Sequence, residues 1–508
     1  MSKYTKFTCM KKLLCIVALF LAITKYNTAK AQNKTTLSFA SVLQSNMVVQ
    51  QNKPFKVWGH APAGDTITIS ADWIRSSIKV VADNANAFLG IIGIPVAKKG
   101  DFAKHQLVIS DGKTSATLTN LLIGDTWICS GQSNMQFGMH ETIDSATEIP
   151  AANYPNIRLF NGTLNFSNEP IDSIGGTWVE CSPETVKKFT AVGYHFGREL
   201  YQTLNIPIGL VFTGIGASAA QAFVPRDVLA ADHLLDSVYL EPYLRSDKSK
   251  EPMNGGFSFE KVTRPFLLYN ALIHPFTKLS IKGFTWYQGE SNRTERESYT
   301  RLTQAMIQSW RKNFGQGDLP FYYVQVAPFW YDQPDSTLAD YAFFREAQEN
   351  ISKLNNTAMV VTMDVGEARN LHPKNKKPIG IRLAKTALHK EYGMLDVSYQ
   401  GPHYDYVVFD KKKATIHFKL ETVASGLATN DGNDPKYFLI AGKDKIFYAA
   451  TAKIDGNAIV ISSSKVKEPI AVRYAFTNFA VTNLQNGNGF PAVPFRTDDW
   501  QEIKVDKK

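Results

Sequence analysis

The first part of the chain alternates apolar and polar residues over short segments. Thr66–Ile69 is one such segment, and Gly and Asp residues typical of turns separate it from its neighbours. Strict alternation is the period of a half-buried strand, and little of residues 37–118 shows the 3.6-residue spacing of an amphipathic helix. We therefore predict a small β-sandwich, which we place at residues 32–118.

The pattern changes between Asp125 and Leu388, where short apolar segments alternate with helical ones. Phe321–Val326 and Ala358–Met363 are predicted strands, and Leu338–Leu354 between them is a predicted helix. This alternation is typical of a parallel sheet covered by helices. We predict an α/β domain over residues 119–395.

Strand-like alternation returns after Tyr392, with Gly, Asn and Asp turns between the apolar segments. Four strands are predicted there: Ala414–Leu420, Tyr437–Ala441, Ala458–Ser462 and Ala471–Ala475. Residues 396–508 are therefore predicted to form a C-terminal β domain.

The N-terminus has the pattern of an export signal. Lysines precede the apolar segment Leu13–Ile23, and Ala29-Lys30-Ala31 follows it. Eleven apolar residues are too few to span a bilayer, whereas they suit a cleavable signal peptide. We predict cleavage after Ala31 and a mature protein that is exported, to the periplasm or the medium, without a membrane span.

Charge gives no indication of a nucleic-acid partner. Six lysines and no acidic residue lie in residues 1–31, so their removal lowers the net charge from +10 to +4. No basic cluster with interleaved aromatics is present, and the lysine-rich segments 374–377 and 411–413 are expected to be solvated turns. The sequence does not indicate an oligomeric state.

Cysteine usage does not predict a metal site. After signal cleavage only Cys129 and Cys181 remain, and they either pair as a disulfide or stay as buried thiols. No Cys/His spacing resembles a set of metal ligands, and we expect neither metal nor cofactor.

A serine follows the predicted buried strand Asp125–Cys129. Residues 130–135 form a glycine-containing turn into a helix start, which places Ser133 at the carboxyl end of the strand. That position suits a nucleophile, because ligands bind at this edge of open α/β sheets, although a plain helix N-cap has the same pattern. Ser45 lies in the same Gln-Ser-Asn-Met tetrapeptide without the preceding glycine, and we expect it to be structural.

Two further segments accompany the Ser133 turn. Residues 286–292 follow the predicted strand Ile281–Thr285, and residues 370–373 follow a strand ending at Asp364. Together the segments resemble the sialate O-acetylesterase and carbohydrate acetylesterase branch of the SGNH hydrolases. The resemblance implies a three-layer α/β/α parallel sheet with flanking N-terminal and C-terminal β domains.

The resemblance also implies a role for four residues. Ser133 matches the nucleophile and His372 the general base, while Gly216 (backbone) and Asn292 (side chain) match oxyanion donors beside the Ser133 N–H. They lie in four blocks, residues 131–135, 214–218, 288–292 and 371–373. Ala217 stands where relatives often have a second glycine. A neutral imidazole can take the serine proton, and fixed N–H groups can hold the tetrahedral oxyanion.

The sequence does not identify which group orients the His372 imidazole. Relatives often have aspartate two residues before the histidine, and this chain has Asn370. An amide can accept the imidazole N–H but stabilises the imidazolium less than a carboxylate does. Either the pair works as a Ser–His dyad oriented by a backbone carbonyl, or an acid substitutes; Asp364, Glu367 and Glu290 are the candidates.

The resemblance implies a serine esterase that removes O-acetyl groups from carbohydrate, first of all from sialic acid. A sialate carboxylate needs a cationic partner, for which Arg293 and Arg345 are candidates, although both also suit ordinary ion pairs. Acetylxylan or another acetylated hemicellulose is the alternative substrate. A non-catalytic carbohydrate-binding protein is a further alternative. A lipase is disfavoured, because the serine block lacks the flanking glycines of a lipase-type nucleophile elbow.

Several other residues have a structural interpretation. His195 and His274 lie among apolar neighbours and are expected in the core or in loops. Four aromatics near predicted strand ends suit either sugar stacking or core packing: Trp286, Tyr287, Phe329 and Trp330.

Overall fold

A computed structural model describes residues 35–253, 256–331 and 339–501 of the 508-residue chain. The predicted signal peptide, residues 1–31, lies outside the described residues. None of the helices in the described part of the chain is long and apolar enough to cross a membrane.

The N-terminal strands form two small sheets around a common core. The strands are β1 (Ser38–Phe39), β2 (Val48–Gln50), β3 (Pro54–His60), β4 (Thr66–Ala71), β5 (Ile78–Val81), β6 (Ala87–Gly93), β7 (His105–Ser110) and β8 (Ser115–Gly131). One sheet has the order β1-β3-β6, and the other joins β5, β4, β7 and the start of β8. The alternation of β4 turns Ile67 and Ile69 inward, where they pack with Val57 and Phe88.

Strand β8 belongs to two parts of the fold. Residues Ser115–Leu121 pair with β7, and residues 122–124 pair with β2. From Asp125 onward the same strand continues into the central sheet. The division between residues 118 and 119 suggested by the sequence falls inside this strand, and the domain boundaries stay a prediction.

The central sheet is mixed and mostly parallel. Its further strands are β9 (Tyr154–Asn161), β10 (Trp178–Cys181), β11 (Ile208–Phe212), β12 (Gly283–Tyr287), β13 (Phe321–Val324) and β14 (Thr357–Val360). The order is β10-β9-β11-β8-β12-β13-β14, and only the edge strand β10 runs antiparallel to its neighbour. Strand β11 is buried along its whole length, as expected where helices cover both faces of a sheet. The α/β prediction is confirmed.

Helices cover both faces of this sheet. The α-helices are α1 (Ser133–Gln136), α2 (Ser145–Glu148), α3 (Ala191–Leu204), α4 (Arg226–Ala231), α5 (His233–Leu235), α6 (Glu241–Arg245), α7 (Glu297–Phe314), α8 (Asp340–Glu349) and α9 (Lys377–Lys390). Trp127 and Cys129 of β8 share a core with α3 and α9, whereas Ile128 shares the opposite core with α7. Successive strand residues point to opposite faces, so one strand serves both layers.

The C-terminal strands form two four-stranded sheets and a two-stranded pair. They are β15 (Tyr404–Asp410), β16 (Lys413–Phe418), β17 (Leu427–Thr429), β18 (Phe438–Ala441), β19 (Phe447–Ala449), β20 (Thr451–Asp455), β21 (Ala458–Ser462), β22 (Ala471–Tyr474), β23 (Leu484–Asn486) and β24 (Phe495–Arg496). The sheet orders are β15-β16-β21-β20 and β19-β18-β22-β24, with β17 paired to β23. Their core includes Val361 and Met363, which follow β14 of the central sheet.

Cys129 and Cys181 are separate buried thiols, so the disulfide alternative is wrong. Burial raises the pKa of Cys129 and of Cys181 to about 12. Both thiols stay protonated at neutral pH and act as small apolar groups.

Candidate active site

The turn that carries Ser133 is set by a close approach between two strands. Gly131 ends β8 with a φ of +139°, and a Cβ at this position would lie 2.2 Å from the carbonyl oxygen of Tyr287. The next N–H, of Gln132, donates to that same carbonyl at 3.0 Å. Only glycine fits this junction, which turns the chain out of the sheet and starts α1 at Ser133.

Ser133 and His372 meet at this edge of the sheet. The Nε2 atom of His372 lies 2.8 Å from the Oγ atom of Ser133, and both side chains are half-buried. Burial lowers the pKa of His372 below its ordinary value, and the nearby charge of Lys376 lowers it further. A neutral imidazole at this distance can take the proton of a hydroxyl as that oxygen attacks an ester.

Gly216 lies beside Ser133. A Cβ built on Gly216 would be 3.6 Å from the Cβ of Ser133, and the Gly216 N–H donates to Oε1 of Gln136 at 2.7 Å. The next residue, Ala217, has a φ of +61°, which is a strained conformation for a residue with a Cβ. The loop thus adopts at Ala217 a left-handed conformation, which glycine would adopt without this strain.

The buried amide of Asn292 hydrogen-bonds both to its own loop and to the segment of Ala220 and Gln221. Its Nδ2 donates to Oε1 of Gln221 at 3.0 Å and to Glu295 at 3.0 and 3.1 Å. Its Oδ1 accepts from the N–H of Ala220 and from Nε2 of Gln288. An oxyanion role for Asn292 would require Nδ2 to leave one of these partners.

The candidate orienting groups contact other partners. Asp364 forms a two-point ion pair with Arg382, at 2.8 and 2.6 Å. Asn370 accepts the backbone N–H of His372 through Oδ1 and donates to Glu367 through Nδ2. Within residues 35–253, 256–331 and 339–501, no hydrogen bond joins these side chains or Glu290 to the imidazole ring. The contacts of Asn370 and Glu367 order the His372 loop through its backbone.

A buried polar network lies next to the Ser133–His372 pair. Glu290 accepts from Nδ2 of Asn134 at 2.5 Å, and Nζ of Lys376 donates to Oδ1 of Asn134 at 2.5 Å. Lys376 is wholly buried, so the expectation that segment 374–377 is a solvated turn is wrong for this residue. No pattern in the sequence indicated a role for Asn134, Lys376 or Gln136, and only Asn134 had a signal, its position directly after Ser133.

The two candidate substrate arginines differ in environment. Arg345 is wholly buried and donates to the carbonyl oxygens of Ala475, Thr477 and Asn478. Arg293 is half-buried, and its guanidinium carbon lies 4.1 Å from the centre of the Tyr331 ring. The Nε atoms of both arginines are buried and have no hydrogen-bond partner among the described residues. Arg293 is the more exposed of the two side chains, so it is the one that an incoming anion could reach.

The remaining candidates are mostly structural. Trp286, Tyr287 and His195 are fully buried in the core, whereas Phe329 and Trp330 are half-buried. Nε2 of His195 lies in the core without a partner among the described residues, and burial lowers its pKa to about 4. In the part of the chain that the structure describes, no group of three or more His, Cys, Asp or Glu is arranged to hold a metal ion.

Comparison with known proteins gives the family. A family model described as carbohydrate esterase, sialic acid-specific acetylesterase, matches residues 252–389. Sialate O-acetylesterases from Mus musculus and Rattus norvegicus are 29% and 28% identical over 410 and 416 residues, covering 72% of this chain and 75% of each relative. The crystal structure of a carbohydrate acetylesterase from Xanthomonas citri is 31% identical with a TM-score of 0.81, covering 91% of this chain and all of that one. The chain belongs to the carbohydrate acetylesterases. The resemblance inferred from the sequence blocks is confirmed, and this carbohydrate esterase is a carboxylic ester hydrolase.

Proposed function

We propose that this carbohydrate esterase removes O-acetyl groups from sialic acid, with Ser133 as nucleophile and His372 as general base. The observation that carries the proposal is the 2.8 Å contact between Oγ of Ser133 and Nε2 of His372, at the carboxyl end of the central strand β8. Family membership supplies the ester chemistry, and this contact gives it a nucleophile and a base.

The reaction proceeds in two acyl-transfer steps. Oγ of Ser133 attacks the acetyl carbonyl while its proton moves to Nε2 of His372, and the sugar oxygen then leaves with that proton. A water molecule, deprotonated by His372, attacks the acetyl-serine, and acetate departs as Oγ takes the proton back. Both tetrahedral intermediates carry a negative oxygen, which needs N–H donors at hydrogen-bond distance.

The backbone N–H groups of Ser133 and Gly216 are the oxyanion donors that fit this scheme best. Ser133 opens α1, where the first N–H groups have no acceptor within the helix. The Gly216 N–H borders Ser133 and now donates to the exposed side chain of Gln136, which the acetyl oxygen would replace. Asn292 then supports the site by holding its loop, unless substrate binding draws its Nδ2 away from Gln221 or Glu295.

We propose that Ser133 and His372 work as a catalytic dyad, without a carboxylate bonded to the imidazole. Asp364 is neutralised by Arg382, and the amide of Asn370 contacts the backbone of His372, not its ring. Helices on both faces of a mostly parallel sheet also support assignment of the central domain, residues 119–395, to the three-layer SGNH type.

Sialic acid carries a carboxylate, and Arg293 is the residue that we assign to it. A guanidinium offers a planar pair of donors to a carboxylate, and the half-buried Arg293 directly follows the turn Glu290–Asn292. Acetylated xylan and other neutral hemicelluloses lack this group, so they would gain nothing from Arg293.

The test is acetate release by the purified protein from O-acetylated sialic acid, acetylated xylan and acetylated mannan. We expect kcat/KM to be highest for the sialate. Hydrolysis of xylan or mannan with little release from sialate would overturn the substrate assignment but leave the esterase chemistry in place. Absence of hydrolysis of all three, and of 4-nitrophenyl acetate, would overturn the proposal as a whole.

We also propose that the protein is exported by cleavage after Ala31. The lysines and apolar segment of residues 1–31 support this. N-terminal sequencing of the protein from its native host should begin at Gln32, and an N-terminus at Met1 would contradict it.

A further inference from the structure

Lys376 is a buried amine beside the Ser133–His372 pair. Its side chain is wholly inaccessible, and its Nζ lies over the rings of Phe137 and Tyr287, at 4.8 and 5.6 Å from their centres. No carboxylate in the described chain forms an ion pair with it; Nζ donates to the amide oxygen of Asn134 at 2.5 Å. An amine buried with a neutral partner costs free energy that an apolar side chain would not.

The amide of Asn134 links the two halves of the site. With its oxygen facing Lys376, its nitrogen donates to Oε1 of Glu290 at 2.5 Å and to the carbonyl oxygen of Leu371 at 3.1 Å. Asn134 directly follows Ser133, and Leu371 directly precedes His372. One side chain therefore connects the nucleophile turn to the loop of the base.

Lys376 also sets which way this amide points. The protonated form of Lys376 only donates hydrogen bonds, so in that form the atom that faces Nζ is the oxygen of Asn134. The nitrogen then has to face Glu290 and Leu371, both of which offer acceptors. If the amide were reversed, its nitrogen would face the donor Nζ of Lys376, and its oxygen would face the acceptor oxygens of Glu290 and Leu371.

We propose that Lys376 is a positioning residue of the esterase: by fixing the amide of Asn134, it holds the Ser133 turn and the His372 loop at the separation that proton transfer requires. This inference rests on the roles proposed above for Ser133 and His372. Lys376 touches neither of the reacting atoms and acts through Asn134.

Lys376 has a second, electrostatic effect on the base. Burial lowers the pKa of Lys376 to about 7, and the carboxylates of Glu290, Glu367 and Glu141 oppose that shift. When protonated, Lys376 lowers the pKa of His372, whereas Glu141 raises it. Removing the amine should therefore raise the pKa of His372, because the positive charge that opposes its protonation is gone.

The experiment compares Lys376→Met with Lys377→Met. The control is the next residue of the chain, half-exposed and ion-paired with Glu148 away from Ser133. With 4-nitrophenyl acetate we expect Lys376→Met to lower kcat by about tenfold to a hundredfold, the scale of a small misplacement of catalytic groups, with little change in KM. The acid limb of its pH profile should move to higher pH. Values of kcat and an acid limb equal to those of Lys377→Met would overturn the proposal.

A double-mutant cycle with Asn134→Ala tests the route of the effect. If Lys376 acts through Asn134, Lys376→Met lowers kcat much less in the Asn134→Ala background than in the wild type. Full additivity of the two losses would overturn the proposal.

Asn134→Asp keeps the inference testable if Lys376→Met does not fold. This near-isosteric change keeps the acceptor for Lys376 but removes the donors to Leu371 and Glu290, so we expect kcat to fall on the same scale. A folded Asn134→Asp variant with wild-type kcat would refute the positioning role. Ser133→Ala distinguishes failure of the positioning role from failure of the proposed function. If Ser133→Ala still hydrolyses the ester, the proposed function fails. If Ser133→Ala is inactive while the Lys376 and Asn134 variants behave like wild type, only the positioning role fails.

Discussion

The side-chain oxygen of Gln136 accepts a hydrogen bond from the backbone N–H of Gly216 at 2.7 Å. Gln136 lies on the same helical turn as Ser133, and Gly216 borders Ser133. An amide oxygen thus lies where the proposed mechanism needs the oxygen of the acetyl group. Substrate must displace Gln136 before the Gly216 N–H can stabilise an oxyanion.

Gln136→Ala should therefore favour binding of a small ester. Removing one competing hydrogen bond, about 1 kcal/mol, should raise kcat/KM for 4-nitrophenyl acetate about fivefold through KM. Gln202→Ala, another exposed glutamine, is the matched control and should leave kcat/KM unchanged. A rise in KM on Gln136→Ala would instead mean that Gln136 binds the substrate.

Ser133→Ala should abolish hydrolysis of 4-nitrophenyl acetate, with a loss in kcat of at least about a thousandfold because no other group replaces the nucleophile. Ser45→Ala is its control, since Ser45 lies in the same tetrapeptide and its Oγ accepts the N–H of Thr119 at 3.0 Å. We expect Ser45→Ala to keep nearly full activity. Equal losses in the two variants would refute the assignment of Ser133.

The pH dependence of kcat/KM should report the lowered pKa of His372. The base must be neutral to accept the serine proton, and burial, with the charge of Lys376, favours the neutral form. Activity should therefore persist below pH 6.5, the ordinary value for histidine, and decline only as the pH falls through the lower pKa. A rate profile for 4-nitrophenyl acetate with its acid midpoint at or above 6.5 would contradict this.

Arg293→Ala should discriminate between substrates. We expect KM for O-acetylated sialic acid to rise about tenfold or more, the scale of a charge-assisted hydrogen bond, while hydrolysis of 4-nitrophenyl acetate is unchanged. Arg245→Ala, at an exposed arginine, should change neither. An equal loss on both substrates would indicate that Arg293 supports the loop and does not bind the carboxylate.

Arg345→Ala should affect stability, not selectivity. Its guanidinium is buried and donates to three carbonyl oxygens, which the variant would leave without these donors. We expect a loss of about 3 kcal/mol in the free energy of unfolding, seen as a lower Tm, and an equal effect on all esters. A wild-type Tm together with a loss confined to sialate would contradict this interpretation.

The sequence predicted the elements whose pattern is local. The strand expected at Ala458–Ser462 is observed at those bounds, and the helix expected at Leu338–Leu354 is observed as α8 followed by a short 3₁₀ turn at Asn350–Lys353. Strand β8 was predicted only from Asp125, because its first half alternates in one environment while its second half is buried on both faces. A change of environment within one strand has no local signal.

The site residues that lie in short sequence blocks could be predicted. Those whose role depends on burial in the folded protein could not. The blocks identified Ser133 and His372 as candidates 239 residues apart, and the structure brings their side chains into contact. The burial of Lys376 depends on a contact with Asn134, 242 residues away. In the sequence, Lys376 lies in a lysine-rich segment and therefore looks like a solvated residue. The pairing of Asp364 with Arg382 likewise depends on how α9 packs.

Strand β8 couples the Ser133 turn to the N-terminal strands. Ser133 lies two residues beyond a strand whose first residues hydrogen-bond with β7 and β2. Fraying of those N-terminal pairings would be transmitted along one continuous backbone to the middle of the central sheet. Near residue 118 the chain has no exposed loop at which it could be cut, permuted or grafted without breaking β8. We therefore expect the N-terminal strands and the central sheet to unfold as one cooperative unit.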